Sequence, residues 1–235
     1  DDFSSSPKDI MSVLDPSLSG IKKLDGRETD DNRCYSLKNY NSFSELDEPY
    51  QYGYGYASGS NSLGLEEFAE KFTSPYSSTE IHGISFIPII GKYDADFPVY
   101  LKIYTGDNKP ETLVYESVVK VTAREYKAKA EGFATTTVQN WSYKENYIRL
   151  DSAVTVGKTF FVSFQTDYEN GEFALLTTPS ETKTAFFKKN GIWDSWDNHP
   201  FNDNVGSLLI NAVVRETTTD GMERLENDGH IRSEE

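Results

Sequence analysis

Between Val99 and Tyr104 the chain alternates strictly. Val99, Leu101 and Ile103 fall on one side while Tyr100, Lys102 and Tyr104 fall on the other. A period of two residues is the geometry of a strand with one buried face. The same alternation returns at Phe160, Val162 and Phe164, and again at Leu208, Ile210, Ala212 and Val214. A chain that repeats this pattern with short interruptions is committed to sheet, because one register of side chains must find an apolar layer to face.

The interruptions carry the chemistry of antiparallel turns. Lys189-Asn190-Gly191 lies between Phe186-Phe187 and Ile192-Trp193, and Asn-Gly supplies the two positive φ angles of a type I′ hairpin. Glu169-Asn170-Gly171 repeats the device after the strand at 159–164, and Thr105-Gly106-Asp107-Asn108 ends the strand at 99–104. An aromatic content of 14%, from 15 Tyr, 14 Phe and 3 Trp, favours sheet further. Short strands joined by such turns, without a long helix, predict an all-β fold: an antiparallel β-sandwich of jelly-roll type with polar N- and C-terminal extensions.

The stretch YGYGYASGSNSLGLEEFAEKF, residues 52–72, tests that reading. Gly53, Gly55 and Gly59 make G-x-G-x-x-x-G, one residue too long for a dinucleotide fingerprint, and no apolar strand precedes them. Leu65, Phe68, Ala69 and Phe72 fit a helical spacing, whereas Phe68, Glu70 and Phe72 fit a strand. With sheet on either side, strand, loop, strand is the expectation.

Texture divides the chain. Residues 1–33 are polar and read as a tail or the end of a preceding catalytic domain, 34–215 as the sandwich, and 216–235 as a flexible acidic tail or connector. The net charge of −15 opposes a nucleic-acid partner, which needs clustered Lys and Arg. No apolar run reaches the ~20 residues of a membrane span. Cys34 is the only cysteine, so neither an internal disulfide nor a thiolate metal cage is available.

Two resemblances add to this. Tyr56-Ala57-Ser58-Gly59-Ser60-Asn61-Ser62-Leu63-Gly64, then Ala69-Glu70-Lys71-Phe72 and Ile81-His82-Gly83-Ile84, is similar to a G-Y-x-x-G-x-N-x-x-G … A-E-K-F … I-x-G-I pattern. That pattern belongs to a β-sandwich module of large secreted and surface proteins of anaerobic bacteria. Val13-Leu14-Asp15-Pro16, Gly20 and Leu24-Asp25-Gly26 resemble the W-L-D-P … G … L-D-G ending of trypsin-like, lysyl-endopeptidase-type domains, with Val13 where the pattern has Trp. Together they imply an accessory module, secreted or at the cell surface, covalently linked to a serine peptidase domain.

No catalytic residue is expected within the chain itself. There is no Ser in G-D-S-G-type surroundings, and His82, His199 and His230 read as structural or solvated. Binding is the remaining chemistry. Trp141, Tyr143, Trp193 and Trp196 are candidates to stack on sugar faces. Trp141 and Trp193 also read as sheet-packing residues, while Trp196, flanked by Asp194, Ser195, Asp197 and Asn198, is expected to be accessible. Oxygen donors at Asp194, Asp197, Asn202 and Asp203 make calcium the candidate ion, although Asp- and Asn-rich turns also arise because these side chains bond their own backbone.

The expected function is a non-catalytic accessory module that positions or stabilises its partner domain, or binds surface protein or glycan. The alternative is an independent carbohydrate-binding or adhesive lectin-like domain.

Overall fold

The computed structural model describes residues 34–39, 50–51, 53–86, 88–90, 97–121, 146–166, 173–179, 183–200 and 205–217. Its strands, in chain order, are β1 (Tyr35–Leu37), β2 (Tyr50–Gln51), β3 (Gly55–Tyr56), β4 (Leu65–Phe86), β5 (Pro88–Ile90), β6 (Phe97–Thr105) and β7 (Thr112–Val121). There follow β8 (Asn146–Thr166), β9 (Phe173–Leu175), β10 (Thr177–Pro179), β11 (Ala185–Lys189), β12 (Ile192–Ser195), β13 (Val205–Leu208) and β14 (Ile210–Glu216). Among the described residues the helical element is one 3-10 turn, Trp196–Asn198.

Every pairing is antiparallel, as the alternation and turns predict. The main sheet runs β1-β14-β4-β8-β6-β7, with β11 also on β4 and β12 on β11. β4 and β8, at 22 and 21 residues, are long for strands and do not stay in one register. Their pairing shifts between Thr73 and Ser78 and again between Ile81 and Gly83. Such irregularities let a strand turn a corner and pass from one layer to the next. The first half of β4 pairs with the last part of β8 and with β11, and the second half pairs with the first part of β8 and with β14.

The two halves enclose one apolar layer. Phe68, Phe72, Leu101, Ile103, Phe160, Val162 and Phe164 from the first join Ile81, Ile84, Leu150, Val156, Ile210, Ala212 and Val214 from the second in a single buried cluster. Phe86 and Phe164 have centroids 4.4 Å apart across it, and Phe72 stacks at 5.3 Å on its cross-strand neighbour Phe160. These side chains are the odd or even set of each strand, so the period of two read in the sequence is the period of burial.

The hairpin at Asn190-Gly191 forms as expected, with φ of +52° and +75° between β11 and β12. The Glu169-Asn170-Gly171 turn lies outside the described residues. Residues 53–72 form strand, loop, strand, and β4 begins at Leu65 where a helix was the competitor. The glycines there serve close backbone approach. A Cβ at Gly59 would collide with the Phe173 carbonyl and Ala174, across an isolated bridge between Gly59 and Ala174. Asn61 ties the loop, donating to the carbonyls of Gly59 (2.7 Å) and Leu65 (3.0 Å) and accepting from the amides of Leu63 (2.8 Å) and Leu65 (3.1 Å).

Candidate functional site

The face of β4 that carries Phe68 and Phe72 points into the core, so Glu67, Ala69 and Lys71 point the other way. Strand registers then fix what stands beside them. Trp193 of β12 lies opposite Lys188 of β11, Lys188 opposite Glu67, Glu67 opposite Gln165 of β8, Gln165 opposite Tyr100 of β6, and Tyr100 opposite Val118 of β7. This row crosses the sheet on its outer side. A second row runs beside it through Phe186, Ala69, Ser163, Lys102 and Glu116.

The floor of this face is a small apolar cluster of Ala69, Tyr104, Phe161 and Phe186, against which the half-buried Trp193 packs. Tyr104 meets Trp193 edge to face at 5.7 Å, and Lys188 Nζ stands 5.5 Å from the indole centroid. Lys71 Nζ lies over Phe161 at 5.9 Å. Both contacts have the geometry in which a cation is attracted to a ring face.

Glu67 is buried at the centre. Its Oε1 accepts from Tyr104 Oη at 3.0 Å and from Ser163 Oγ at 2.5 Å, and its Oε2 faces Lys188 Nζ at 3.4 Å and Lys102 Nζ at 3.7 Å. Lys102 also donates to Gln165 Oε1 at 2.6 Å and pairs with Glu116 at 3.6 Å. A buried carboxylate with two hydroxyl donors and two ammonium groups is compensated rather than reactive. Burial and the charge of Glu67 beside it raise the Tyr104 phenol above its ordinary range, which keeps it a donor.

A second buried carboxyl, Glu70, faces the interior. Asn39 Nδ2 (2.6 Å) and Thr184 Oγ1 (2.5 Å) donate to its Oε1, and the Leu208 amide (2.8 Å) donates to Oε2. Burial pushes its pKa up to about 8 in spite of these bonds. Glu70 therefore ties β4 to β1's continuation, to the residue before β11 and to β13.

The 3-10 turn corrects one expectation. Trp196 is wholly buried, stacked on His199 at 4.2 Å and 8°, so its ring has no face for a sugar. The physical reason is the turn itself: about three residues complete each turn, so Trp196 swings inward while Asp197 and Asn198 swing out. The polar neighbours that suggested exposure are on the other side. His199 is buried too, its Nε2 2.9 Å from the Ala57 carbonyl, which can only accept. His82 lies beside Glu80 at 3.3 Å.

Asp194 and Asp197 are engaged locally. Asp194 Oδ1 accepts from the Ser195 amide and from Asn198 Nδ2, each at 2.8 Å, and Asp197 pairs with Lys183 at 2.7 Å. Among the described residues no group of three or more His, Cys, Asp or Glu is placed to hold a metal. Trp141, Tyr143, Asn202, Asp203 and His230 lie outside the described residues. From the sequence Glu67 reads only as part of an acidic patch with Glu66 and Glu70 near the 59–64 loop, and Gln165 and Lys188 were not singled out. The available signal was the alternation itself, which puts Glu67 on the face opposite Phe68.

No family model matches this chain, and no curated protein does. Among solved structures, it is similar to the cysteine protease and lectin-like domains of Cwp84, a surface layer associated protein of Clostridium difficile. That match has a TM-score of 0.44 and 13% identity, over 76% of this chain and 37% of the other. A variant of the clostridial protease after propeptide cleavage gives a TM-score of 0.44 and 11% identity, over 76% of this chain and 42% of the other. The chain spans about two fifths of the length of these structures. Likeness of that degree assigns no function. No helix among the described residues is long and apolar enough to cross a membrane.

Proposed function

We propose that this chain is a non-catalytic accessory β-sandwich of an exported or surface protein, with 34–215 as the module, and that it contacts glycan through the outer face bearing Trp193. One observation carries the reading. Among the described residues, Glu67, Glu70 and His199 are buried and committed to partners within the fold, whereas Trp193, Gln165, Tyr100 and Val118 line one partly exposed row beside Lys102 and Lys188. An aromatic ring with amide and ammonium groups alongside is the composition that sugar hydroxyls and apolar sugar faces require.

The covalent partner in this reading is a peptidase domain. Its trypsin-like type rests on the motif at 13–26, and the similar solved structures carry a cysteine protease instead. The upstream sequence of the parent gene distinguishes the two, since each needs its own nucleophile and base. A free-standing lectin-like domain uses the same face but has no such neighbour.

The test is a glycan array probed with the whole chain, alongside casein and glycoside hydrolysis assays. Binding without turnover is expected. Hydrolysis by the chain itself, after controls for contaminating peptidase, removes the accessory reading.

A further inference from the structure

We infer that Asn190 is a self-modification site, at which the Gly191 backbone nitrogen attacks the Asn190 side chain to close a succinimide while Glu66, placed by the fold, takes up the amide proton. Asn-Gly occurs twice in the sequence, at 170–171 and 190–191, and the second pair lies among the described residues. It forms the turn between β11 and β12, where both residues are exposed and none of the described residues hydrogen-bonds to the Asn190 side chain. A Cβ at Gly191 would have nothing within 4 Å, so the attacking nitrogen stands in open space with no side chain of its own to shield it.

Glu66 is what the fold adds to this dipeptide. A backbone amide must give up its proton before its nitrogen can form a further bond, and the Gly191 N–H donates to Glu66 Oε2 at 3.3 Å. The two residues are 125 apart in the chain. They meet because β11 pairs with β4 through an irregularity: Lys188 faces Glu67 and Lys189 faces Leu65, which leaves Glu66 as an extra residue beside the turn. A bulge of this kind re-aims the side chain it carries.

In the step, the bond from Gly191 N to Asn190 Cγ forms and the bond from Cγ to Nδ2 breaks. The amide proton passes to Glu66 and leaves, by way of solvent, on the departing ammonia. Water then opens the ring to aspartate or isoaspartate. Isoaspartate puts an extra carbon into the backbone of a turn that sets Lys189 opposite Ile192 and Lys188 opposite Trp193. Among the described residues β12 joins the main sheet through β11 alone, so β12 and its Trp193 bear the change. The inference stands whether or not that face binds glycan.

Peptide mapping of the whole chain, aged in warm neutral buffer, tests it, with electron-transfer fragmentation to separate isoaspartate from aspartate. Residue 190 is expected to gain about one mass unit as its amide becomes a carboxyl. Gly191→Ala slows the gain by about tenfold or more, because the added carbon shields the nitrogen. Glu66→Gln keeps an oxygen that accepts from the Gly191 N–H but loses the group that takes up its proton, and slows the gain by about threefold or more. In concentrated urea, where β4 and β11 are apart, the unaltered chain and Glu66→Gln age alike. An Asn190 that stays intact in the folded chain, folded Glu66→Gln ageing at the parent rate, or a Glu66→Gln effect that persists in urea overturns the inference.

Discussion

Glu70 shows how one residue sets a property of the whole fold. Its carboxyl ionises near 4.5 in an unfolded chain and at about 8 in the folded one, because burial penalises the charge. Between those values the folded state holds a proton that the unfolded state has lost, so stability falls as pH rises through the window. Chemical denaturation at pH 5 and pH 8 is expected to give the higher midpoint at pH 5. Glu70→Gln flattens this dependence, because an amide does not titrate in the window. A slope unchanged in Glu70→Gln would assign the dependence to other groups. The two tryptophans of the 193–196 region separate in the same way. Trp196→Ala empties a fully buried site and is expected to cost about 3–5 kcal/mol, read as a lowered denaturation midpoint, whereas Trp193→Ala costs less and acts on binding. Their roles were illegible in the sequence because Asp and Asn surround Trp196, and only the 3-10 geometry decides which side chain turns inward.

Strands and turns were far more legible. The alternation at 99–104, 160–164 and 208–214 is a direct image of one buried face, and Asn190-Gly191 adopts the positive φ angles its residues suit. Gly191→Ala is expected to cost about 1 kcal/mol, since φ is +75° but nothing lies within 4 Å of the added carbon. Gly59→Ala should cost distinctly more, because the new carbon meets the Phe173 carbonyl and the backbone there is held by the Ser60 amide. Equal losses in thermal denaturation would contradict that contrast. The length of β4 was not legible. Its corner does carry a local mark, Ser74-Pro75, where Ser74 Oγ accepts from the Tyr76 amide (3.1 Å) and from Thr79 Oγ1 (2.7 Å). A turn signal ordinarily reads as the end of a strand, and only the facing layer makes it a bend within one.

At the scale of the molecule, the all-β sandwich follows from residues that repeat a simple rule, while the proposed binding face follows from which residues become neighbours across six strands. Trp193, Lys188, Glu67, Gln165, Tyr100 and Val118 span residues 67–193, and no local pattern announces their alignment. The account places binding on that row and leaves the buried carboxyls and His199 to hold the layers together. Calorimetric titration of the whole chain and its Trp193→Ala variant with the strongest glycan from an array examines this most directly. The account predicts binding by the unaltered chain without turnover, at least about tenfold weaker in the variant, with the thermal midpoint of the variant close to that of the parent. Equal affinity in the two chains, or release of a cleaved product, would contradict it.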